Sequence, residues 1–504
     1  MTHRSCFTYK SGYFLATIKS NIKNSILKNM NHGLFSYLLC ATLFCLNVGL
    51  VAQVSTKAQP NIIFILTDDM GYGDMGVAGN PYILTPNIDR LAHEGTRYTN
   101  FFVNSAVCAP SRVAFMTGHF PARLNAHHIY FNEEFNKRHQ VPPYLDPNTF
   151  TLADALKNVG YTTAHIGKWH LAGLVKDVPD PSNYGFDEWL ITHGNIASSI
   201  YRQRWKTTEH PVSMTSQWIM EDAVAFIKKH KDNNKPFYLN LWTLAPHSPL
   251  KPTPEELALY SELKASPDSF ESWMHEYAND AKNFNEQMKI YAATMTGLDT
   301  AIGKLLTYLD ETGLAENTII IFSSDNGPED YHEGGSGNAG VGSPDIYRGR
   351  KRSPYLGGMK VPMIVRWPAG TPAGAENASV WSAIDFLPTI ASIAGSSEVD
   401  KHYIDGENMA SVFHGAEQIR NRPLFWEWKN EIFGNEKAYR SPQVCMLAGD
   451  WWAGWNPDGE RIELYNISKD PAQVNNVKED YPEITAKMVN QLKAWKATLL
   501  SAAF

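Results

Sequence analysis

Two apolar runs, each ending in a pair of residues that contains an acid, constrain the fold most strongly. One run, NIIFILTDD, covers residues 61–69, and the other, TIIIFSSDNG, covers residues 318–327. A continuous apolar run of this length is typical of a parallel strand that is buried on both faces. Ligands of parallel sheets bind beyond the carboxyl ends of the strands. The two runs therefore predict a parallel sheet with polar side chains gathered at one edge.

Strand-like and helix-like segments alternate along most of the chain. Apolar runs at 161–170 and 236–247 also end in polar residues. Residues 291–309 carry apolar side chains at helical spacing, and Gly313 follows as a helix stop. This alternation predicts an α/β fold in which a large, mostly parallel sheet is flanked by helices on both faces.

The sequence pattern changes near Ser396. Short strand-like pieces such as VCMLAGDWWAGW and ERIELYNIS are separated by turns, and residues 482–500 have the pattern of an amphipathic helix. This pattern predicts a smaller, antiparallel sheet covered by one helix. Because 504 residues exceed the size of one ordinary domain, we expect a catalytic domain over 60–395 and a C-terminal subdomain over 396–504.

The first 52 residues have the pattern of a leader. Residues 34–51 are largely apolar and the small residue Ala52 follows them, as in a cleaved signal peptide. The apolar run is at or below the ~20 residues that a membrane span requires, so we favour a signal peptide over an N-terminal anchor. Either Met1 or Met30 could be the start. We expect an exported protein, periplasmic or secreted, without a stable membrane anchor.

Charge and cysteine content argue against two classes of protein. A formal net charge of −7 argues against nucleic acid as a partner, although a local cluster of cations can still receive a small anion. Three of the five cysteines lie in the leader, and only Cys108 and Cys445 follow it. The chain is therefore not built on a disulfide framework, and a single Cys108–Cys445 bridge stays open.

Oxygen ligands and cationic side chains at the predicted strand ends indicate a metal-assisted reaction on an anion. Carboxylate and amide oxygens suit Ca²⁺ or Mg²⁺ and not zinc. Transfer of a sulfuryl or phosphoryl group requires neutralised oxygens and a protonated leaving group. The candidate metal ligands are Asp68, Asp69, Asp325 and Asn326, and the candidate cationic or acid–base residues are Arg112, Lys168, His170, His247 and Lys351.

Several motifs resemble those of the type I, formylglycine-dependent sulfatases of the alkaline-phosphatase-like superfamily. CAPSR at 108–112, followed by VAFMTG, resembles the first signature of that family, and GYTTAHIGKWHL at 160–171 resembles the second. The segments PNIIFILTDDMGYGDMG, TPNIDRLAHEGTRYTNFF, TIIIFSSDNG and GGMKVP match the family pattern in order. The resemblance covers residues from about 60 to about 471. It implies an alkaline-phosphatase-like sandwich with a smaller C-terminal antiparallel sheet.

The resemblance also implies a modified nucleophile. Cys108 would be oxidised by a formylglycine-generating maturation enzyme to Cα-formylglycine (3-oxoalanine), whose hydrate attacks sulfur through one hydroxyl. Loss of a proton from the second hydroxyl would then expel sulfate and reform the aldehyde. By the same resemblance, the modified Cys108 completes a Ca²⁺ shell formed by Asp68, Asp69, Asp325 and Asn326, with Mg²⁺ less favoured.

The remaining roles follow from the same motifs. Arg112 resembles the residue that holds the diol, and Lys168 and Lys351 resemble sulfate-binding lysines. His170 resembles the base of the elimination step, and His247 resembles the general acid at the leaving oxygen.

The sequence departs from the family pattern at two positions. Leu356 stands where Glu is common, and Ala172 stands where Gly is common. Neither position is expected to contact sulfur. Lys360 is expected to be structural.

The substrate is expected to be a sulfated carbohydrate, such as an algal glycan or a glycosaminoglycan. Aromatic and cationic residues outside the signatures would recognise the sugar: His128, Tyr130, His193, Arg202 and Arg204. One alternative is a phosphonate or phosphate monoester hydrolase of the same superfamily. Another is a non-catalytic glycan-binding relative, against which the complete set of site residues argues.

Overall fold

The computed structural model describes residues 59–192, 214–269, 283–330, 338–429 and 440–500, together with residues 204, 206 and 212. The predicted leader over 1–52 lies outside these residues. Among the residues described, no helix combines the length and the apolar character needed to cross a membrane.

Three sheets and a set of helices make up the described part of the chain. The strands are β1 (Asn61–Thr67), β2 (Thr96–Tyr98), β3 (Phe101–Phe102), β4 (Thr162–Lys168), β5 (Glu188–Thr192), β6 (Phe237–Trp242), β7 (Thr318–Ser324), β8 (Met363–Arg366), β9 (Ala375–Asn377), β10 (Trp381–Ser382), β11 (Leu424–Glu427), β12 (Val444–Ala448), β13 (Trp451–Trp455) and β14 (Ile462–Asn466). The α-helices are α1 (Pro86–Glu94), α2 (Cys108–Thr117), α3 (Glu133–His139), α4 (Leu152–Lys157), α5 (Met214–His230), α6 (Pro254–Ala258), α7 (Phe284–Glu311), α8 (Leu356–Met359), α9 (Phe386–Ile393), α10 (Ala410–Phe413) and α11 (Pro482–Leu500).

The large sheet has the strand order β5-β4-β6-β1-β7-β8-β2-β9. Strands β5, β4, β6, β1 and β7 run parallel to one another, whereas β8 runs antiparallel to both β7 and β2. The predicted α/β fold with a large, mostly parallel sheet is confirmed. The exception is β8, which runs in the opposite direction.

The register of the parallel strands brings four strand ends together. Thr67 at the end of β1 is opposite Ser324 at the end of β7, and Leu66 is opposite Trp242 at the end of β6. Trp242 is in turn opposite Gly167, one residue before the end of β4. The carboxyl ends of β4, β6, β1 and β7 are therefore neighbours, and the polar residues that follow them share one edge of the sheet.

Both faces of the large sheet are covered, as the apolar runs predict. Along β1, Ile62, Phe64 and Leu66 belong to one buried cluster, and Ile63 and Ile65 belong to the cluster on the opposite face. This alternation follows from the two-residue period of a strand. Helices α5 and α7 supply apolar side chains to the second cluster, and α2 and α9 supply them to the first.

A smaller antiparallel sheet, in the order β11-β12-β13-β14, forms the C-terminal part of the structure. Helix α11 packs against β12 and β13, and the ring of Trp495 stacks on Phe425 with 5.0 Å between the ring centroids. The predicted antiparallel sheet and covering helix are confirmed, while β11 is a strand that the sequence pattern did not reveal. The division of the chain at residue 395 stays a prediction.

Candidate active site

The cysteine of the first signature lies at the start of a buried helix. Cys108 is the first residue of α2, and all ten residues of that helix are buried. Burial raises the pKa of the Cys108 thiol to about 11. Because a thiolate and not a thiol is the nucleophile, unmodified Cys108 would be a weak nucleophile at neutral pH. Cys108 and Cys445 are both free and buried, so the disulfide that the sequence left open is absent between them.

The acidic residues that follow β1 and β7 meet at the sheet edge. The backbone N–H of Asp69 donates to Asp325 Oδ1 at 3.2 Å, and Asn326 Nδ2 donates to Asp69 Oδ1 at 2.7 Å. Asp69 has a φ of 67°, in the left-handed region. Asp68, Asp69, Asp325 and Asn326 are each no more than 1% exposed. Register thus places two acid-containing pairs from distant parts of the sequence beside each other.

These oxygens fit a hard divalent cation. Oδ1 of Asp68 and Oδ1 of Asn326 are buried and have no hydrogen-bond partner among the residues described. One ligand atom each from Asp68, Cys108 and Asp325 lies within 4.8 Å of the others, and so does one each from Asp68, Asp69 and His247. Buried oxygen ligands without donors are what Ca²⁺ or Mg²⁺ requires.

The protonation of these carboxylates depends on neighbouring charge. Burial and the Asp68 carboxylate raise the pKa of Asp325. Burial would also raise the pKa of Asp68, but cations, first Lys168, hold it below its usual range. Carboxylates packed this closely favour a bound cation, because like charges oppose ionisation of both.

Arg112 connects the nucleophile helix to the strand ends. Its Nε and Nη2 atoms donate to Asp325 Oδ2 at 2.9 and 2.6 Å, and its Nη1 atom donates to the carbonyl of Lys168 at 3.1 Å. The guanidinium carbon lies 5.0 Å from the centroid of the Trp242 ring. Arg112 is fully buried. One side chain thus contacts residues at the ends of three strands, β4, β6 and β7.

The two candidate lysines each donate to a different acid of the pair Asp68–Asp69. Lys168 Nζ donates to Asp68 Oδ2 at 2.5 Å, and Lys351 Nζ donates to Asp69 Oδ2 at 2.6 Å. Lys168 is the last residue of β4, and both lysines are buried. Each aspartate of the pair Asp68–Asp69 therefore has a buried lysine as its partner.

The two candidate catalytic histidines have different surroundings. His170 is 6% exposed with a φ of 54°, and its Nδ1 has no hydrogen-bond partner within the described structure. Burial, followed by the charge of Lys168, lowers the pKa of His170 well below its usual value, which favours the neutral, proton-accepting ring.

His247 lies nearer the acids. Its Nε2 is 3.5 Å from Asp69 Oδ2, its Nδ1 is 2.7 Å from the carbonyl of Ser248, and 16% of its side chain is exposed. Burial, followed by the charge of Lys351, lowers the pKa of His247, whereas Asp69 acts in the opposite direction. A proton on this ring would therefore depend on the anionic groups that it faces.

Glu329 and Arg352 are two further charged residues that lie next to Lys351 but were not identified from the sequence. Glu329 is 2% exposed and accepts from Lys351 Nζ at 2.9 Å and from Arg352 Nη1 at 2.5 Å. The backbone N–H of Arg352 donates to the carbonyl of Ala106 at 2.7 Å, close to the nucleophile. The only sequence signal for Glu329 is an acid three residues after Asn326.

The predicted sugar-binding residues are not all brought to the site. The ring of His128 packs at 4.6 Å from that of His139, and burial lowers its pKa to about 3, with smaller contributions from His139 and then Arg352. Tyr130 is 1% exposed within the apolar core, and its hydroxyl has no hydrogen-bond partner among the described residues. The structure therefore packs His128 against His139 and encloses Tyr130 in the apolar core.

Of the other three predicted sugar-binding residues, the structure describes only Arg204. Arg204 forms a two-point ion pair with Asp222 of α5, with 2.6 Å between Nη2 and Oδ1. His193 and Arg202 lie outside the described residues. Their roles stay predictions.

The residues that depart from the family pattern point into the interior. Leu356 and Ala172 are each 2% exposed and belong to the apolar core. Lys360 donates to Tyr347 Oη at 2.6 Å and to Asn100 Oδ1 at 3.0 Å. These contacts agree with a structural role for Lys360.

Comparison with known proteins gives matches over nearly the whole described chain. Residues 60–396 match the family Sulfatase, and residues 349–498 match the family N-sulphoglucosamine sulphohydrolase, C-terminal. The N-acetylgalactosamine-6-sulfatase of Canis lupus familiaris is 28% identical, covering 76% of this chain and 71% of that protein. The N-acetylgalactosamine-6-O-sulfatase of Bacteroides thetaiotaomicron is 27% identical, covering 87% and 93%.

A solved structure agrees with these matches. The structure of Ps i-CgsB in complex with k-i-k-neocarrahexaose superposes with a TM-score of 0.69 at 26% identity, covering 87% of this chain and 92% of that one. The family match covers more than half of the chain, and the fold agrees with it. The chain therefore belongs to the sulfatase family of the alkaline-phosphatase-like superfamily and is a sulfuric ester hydrolase.

Proposed function

We propose that this protein is an exported sulfatase that removes sulfate from a sulfated carbohydrate, with a formylglycine formed from Cys108 as nucleophile. The observation that carries the proposal is the convergence of Cys108, Asp68 and Asp325 within 4.8 Å, beside the buried cations of the cluster. A thiol in that position, with its raised pKa, is poorly suited to attack sulfur. An oxidised Cys108 side chain, in contrast, would supply an oxygen nucleophile at the same place.

Ca²⁺ is the cation that we propose for the oxygen ligands. Asp68, Asp69, Asp325 and Asn326 would hold it, with the modified Cys108 completing the shell. When bound, the ion supplies Lewis acidity that lowers the pKa of a coordinated hydroxyl and offsets charge on the sulfate oxygens. Mg²⁺ demands near-ideal octahedral geometry, so we favour Ca²⁺.

The chain's own residues provide the rest of the chemistry. Lys168 and Lys351, which flank Asp68 and Asp69 in the structure, would bind the sulfate oxygens. Arg112, held on Asp325, would keep the nucleophile side chain oriented and balance its charge.

The two histidines would transfer protons during the reaction. His247 would donate a proton to the oxygen of the leaving sugar, since its Nε2 faces the acids and part of its ring is exposed. His170, whose buried ring favours the neutral form, would accept a proton when sulfate is released.

The names of similar proteins suggest which sulfated sugars to test. Two of the relatives are named for a sulfate on N-acetylgalactosamine, and the solved neighbour is in complex with k-i-k-neocarrahexaose. A panel of defined sulfated oligosaccharides, assayed for released sulfate, would identify the substrate. Turnover of at least one member supports a carbohydrate sulfatase, and turnover of aryl sulfate without any member would contradict it.

The same assay should include an aryl phosphonate matched to the aryl sulfate. Phosphonate and sulfate esters present similar tetrahedral anions, so a cluster of cations can bind either. We expect the higher kcat/KM with the sulfate. A much higher kcat/KM with the phosphonate would overturn the proposal in favour of a phosphonate monoester hydrolase.

A further inference from the structure

Glu329 is a buried acid beside Lys351. Unlike Asp68, Asp69 and Asp325, it has no role in the proposed chemistry. It is 2% exposed and lies two residues before the segment left undescribed at 331–337. An isolated buried carboxylate is costly, so its charge must be matched by partners. Its two oxygens contact different cations, which are Lys351 and Arg352.

Several contacts fix the position of Glu329 relative to Lys351. Oε2 accepts from Lys351 Nζ at 2.9 Å, and Oε1 accepts from Arg352 Nη1 at 2.5 Å. The backbone of the two segments is also joined, because Lys351 N–H donates to the carbonyl of Pro328 at 2.9 Å. Arg350 Nε donates to the carbonyl of Glu329 at 2.8 Å. Residues 328–329 and 350–352 are therefore joined by these four hydrogen bonds, two of them to the carboxylate oxygens of Glu329.

Lys351 has a second partner that metal binding would compete for. Its Nζ donates to Asp69 Oδ2 at 2.6 Å, and Asp69 is one of the candidate metal ligands. A cation bound to Asp69 would weaken the attraction between that carboxylate and Lys351. Glu329 is not part of the candidate metal shell and would stay hydrogen-bonded to the ammonium group of Lys351.

We propose that Glu329 is the positioning residue of Lys351: it holds the ammonium group at the edge of the metal site, directed at the anionic group of the substrate. This inference rests on the proposed function. Its effect reaches the substrate only through Lys351, since Glu329 itself would repel a sulfate. Charge balance agrees with this role, because Glu329 offsets two of the cations that surround the nucleophile.

The test compares Glu329→Gln with a matched control. Gln keeps the shape of the side chain and removes the charge, while Glu463→Gln makes the same change at another buried glutamate. Glu463 is 7% exposed, accepts from Tyr355 Oη at 2.8 Å and lies in the C-terminal sheet. The measurements are kcat and KM for an aryl sulfate, the inhibition constant of inorganic sulfate, and the increase in Tm that sulfate produces.

We expect Glu329→Gln to raise KM and the sulfate inhibition constant by the same factor. The factor should be about 10- to 100-fold, by analogy with the loss of an outer-shell partner that orients a metal ligand. Sulfate should then raise the Tm of this variant less than that of the parent protein. Glu463→Gln should leave KM and the inhibition constant unchanged, whatever its effect on Tm.

A double-mutant cycle with Lys351→Ala separates positioning from a direct role. If Glu329 acts through Lys351, adding Glu329→Gln to Lys351→Ala should cause little or no further loss. Additive losses, or unchanged kinetic constants in Glu329→Gln alone, would overturn the inference. If the parent protein turns over phosphonate and not sulfate, the proposed function fails and the same cycle is measured with phosphonate and inorganic phosphate.

Discussion

Arg112 donates two hydrogen bonds to one oxygen of Asp325, although the two residues are 213 positions apart in the sequence. The contact joins the helix that begins at Cys108 to the end of β7. Because Asp325 is a candidate metal ligand, it also joins the candidate nucleophile to the candidate metal site. The pair is fully buried, so its integrity affects both stability and catalysis.

Replacing Arg112 should therefore destabilise the protein strongly. Arg112→Met removes the guanidinium and leaves the Asp325 carboxylate buried without its main partner. Removal of one member of a buried ion pair typically costs about 3–5 kcal/mol in the free energy of unfolding. Chemical denaturation of the parent protein and the variant, both without added metal, measures the difference.

Arg138→Met is the control for Arg112→Met. Arg138 pairs with Glu134 across one helical turn, and both side chains are largely exposed. Exposed pairs of this kind contribute about 0.3–0.5 kcal/mol. Equal losses of unfolding free energy in the two variants would show that the Arg112–Asp325 contact stabilises the protein no more than an exposed ion pair does.

His247 should matter most when the leaving group is a poor one. A sugar alcohol needs a proton as the S–O bond breaks, whereas a nitrophenolate leaves without one. His247→Ala should lower kcat on a sulfated sugar by about 100- to 10,000-fold, the usual contribution of general acid catalysis, and should lower it much less on nitrophenyl sulfate. Equal losses on both substrates would contradict the assignment of His247 as the general acid.

Metal removal should abolish turnover. The oxygen ligands favour Ca²⁺, so activity lost on chelation should return with Ca²⁺ and to a smaller extent with Mg²⁺. Asp69→Asn should weaken Ca²⁺ binding and so raise the Ca²⁺ concentration needed for half-maximal activity. Full activity after rigorous removal of calcium, checked by elemental analysis, would rule out the metal site.

Much of the fold follows from features that act locally in the sequence. The apolar runs before Asp68 and Asp325 identify β1 and β7, because a strand that is buried on both faces is apolar along nearly its whole length. The rule that ligands bind at the carboxyl ends of parallel strands then places the polar residues after them at one edge. The same rule predicts Lys168 at this edge, because Lys168 is the last residue of β4.

Other features depend on contacts that local sequence does not encode. Glu329 has no motif of its own, and its importance comes from Lys351 and Arg352, which lie on a separate segment. The reversal of β8 depends on how the chain returns to the sheet, since an apolar run is compatible with either direction. Tyr130 was predicted to contact substrate from its position near the signature, yet the packing of the core encloses it.

The central claim is that Cys108 acts as formylglycine, and mass spectrometry of the Cys108 peptide tests it most directly. The protein should be made with and without a formylglycine-generating enzyme, and the modified fraction compared with kcat on aryl sulfate. We predict a Cys108 peptide lighter than the thiol form, or the hydrate of that lighter peptide. Activity should be proportional to the modified fraction of the protein. Cys108→Ala should have no activity. Full activity from protein whose Cys108 is entirely an unmodified thiol would contradict the account.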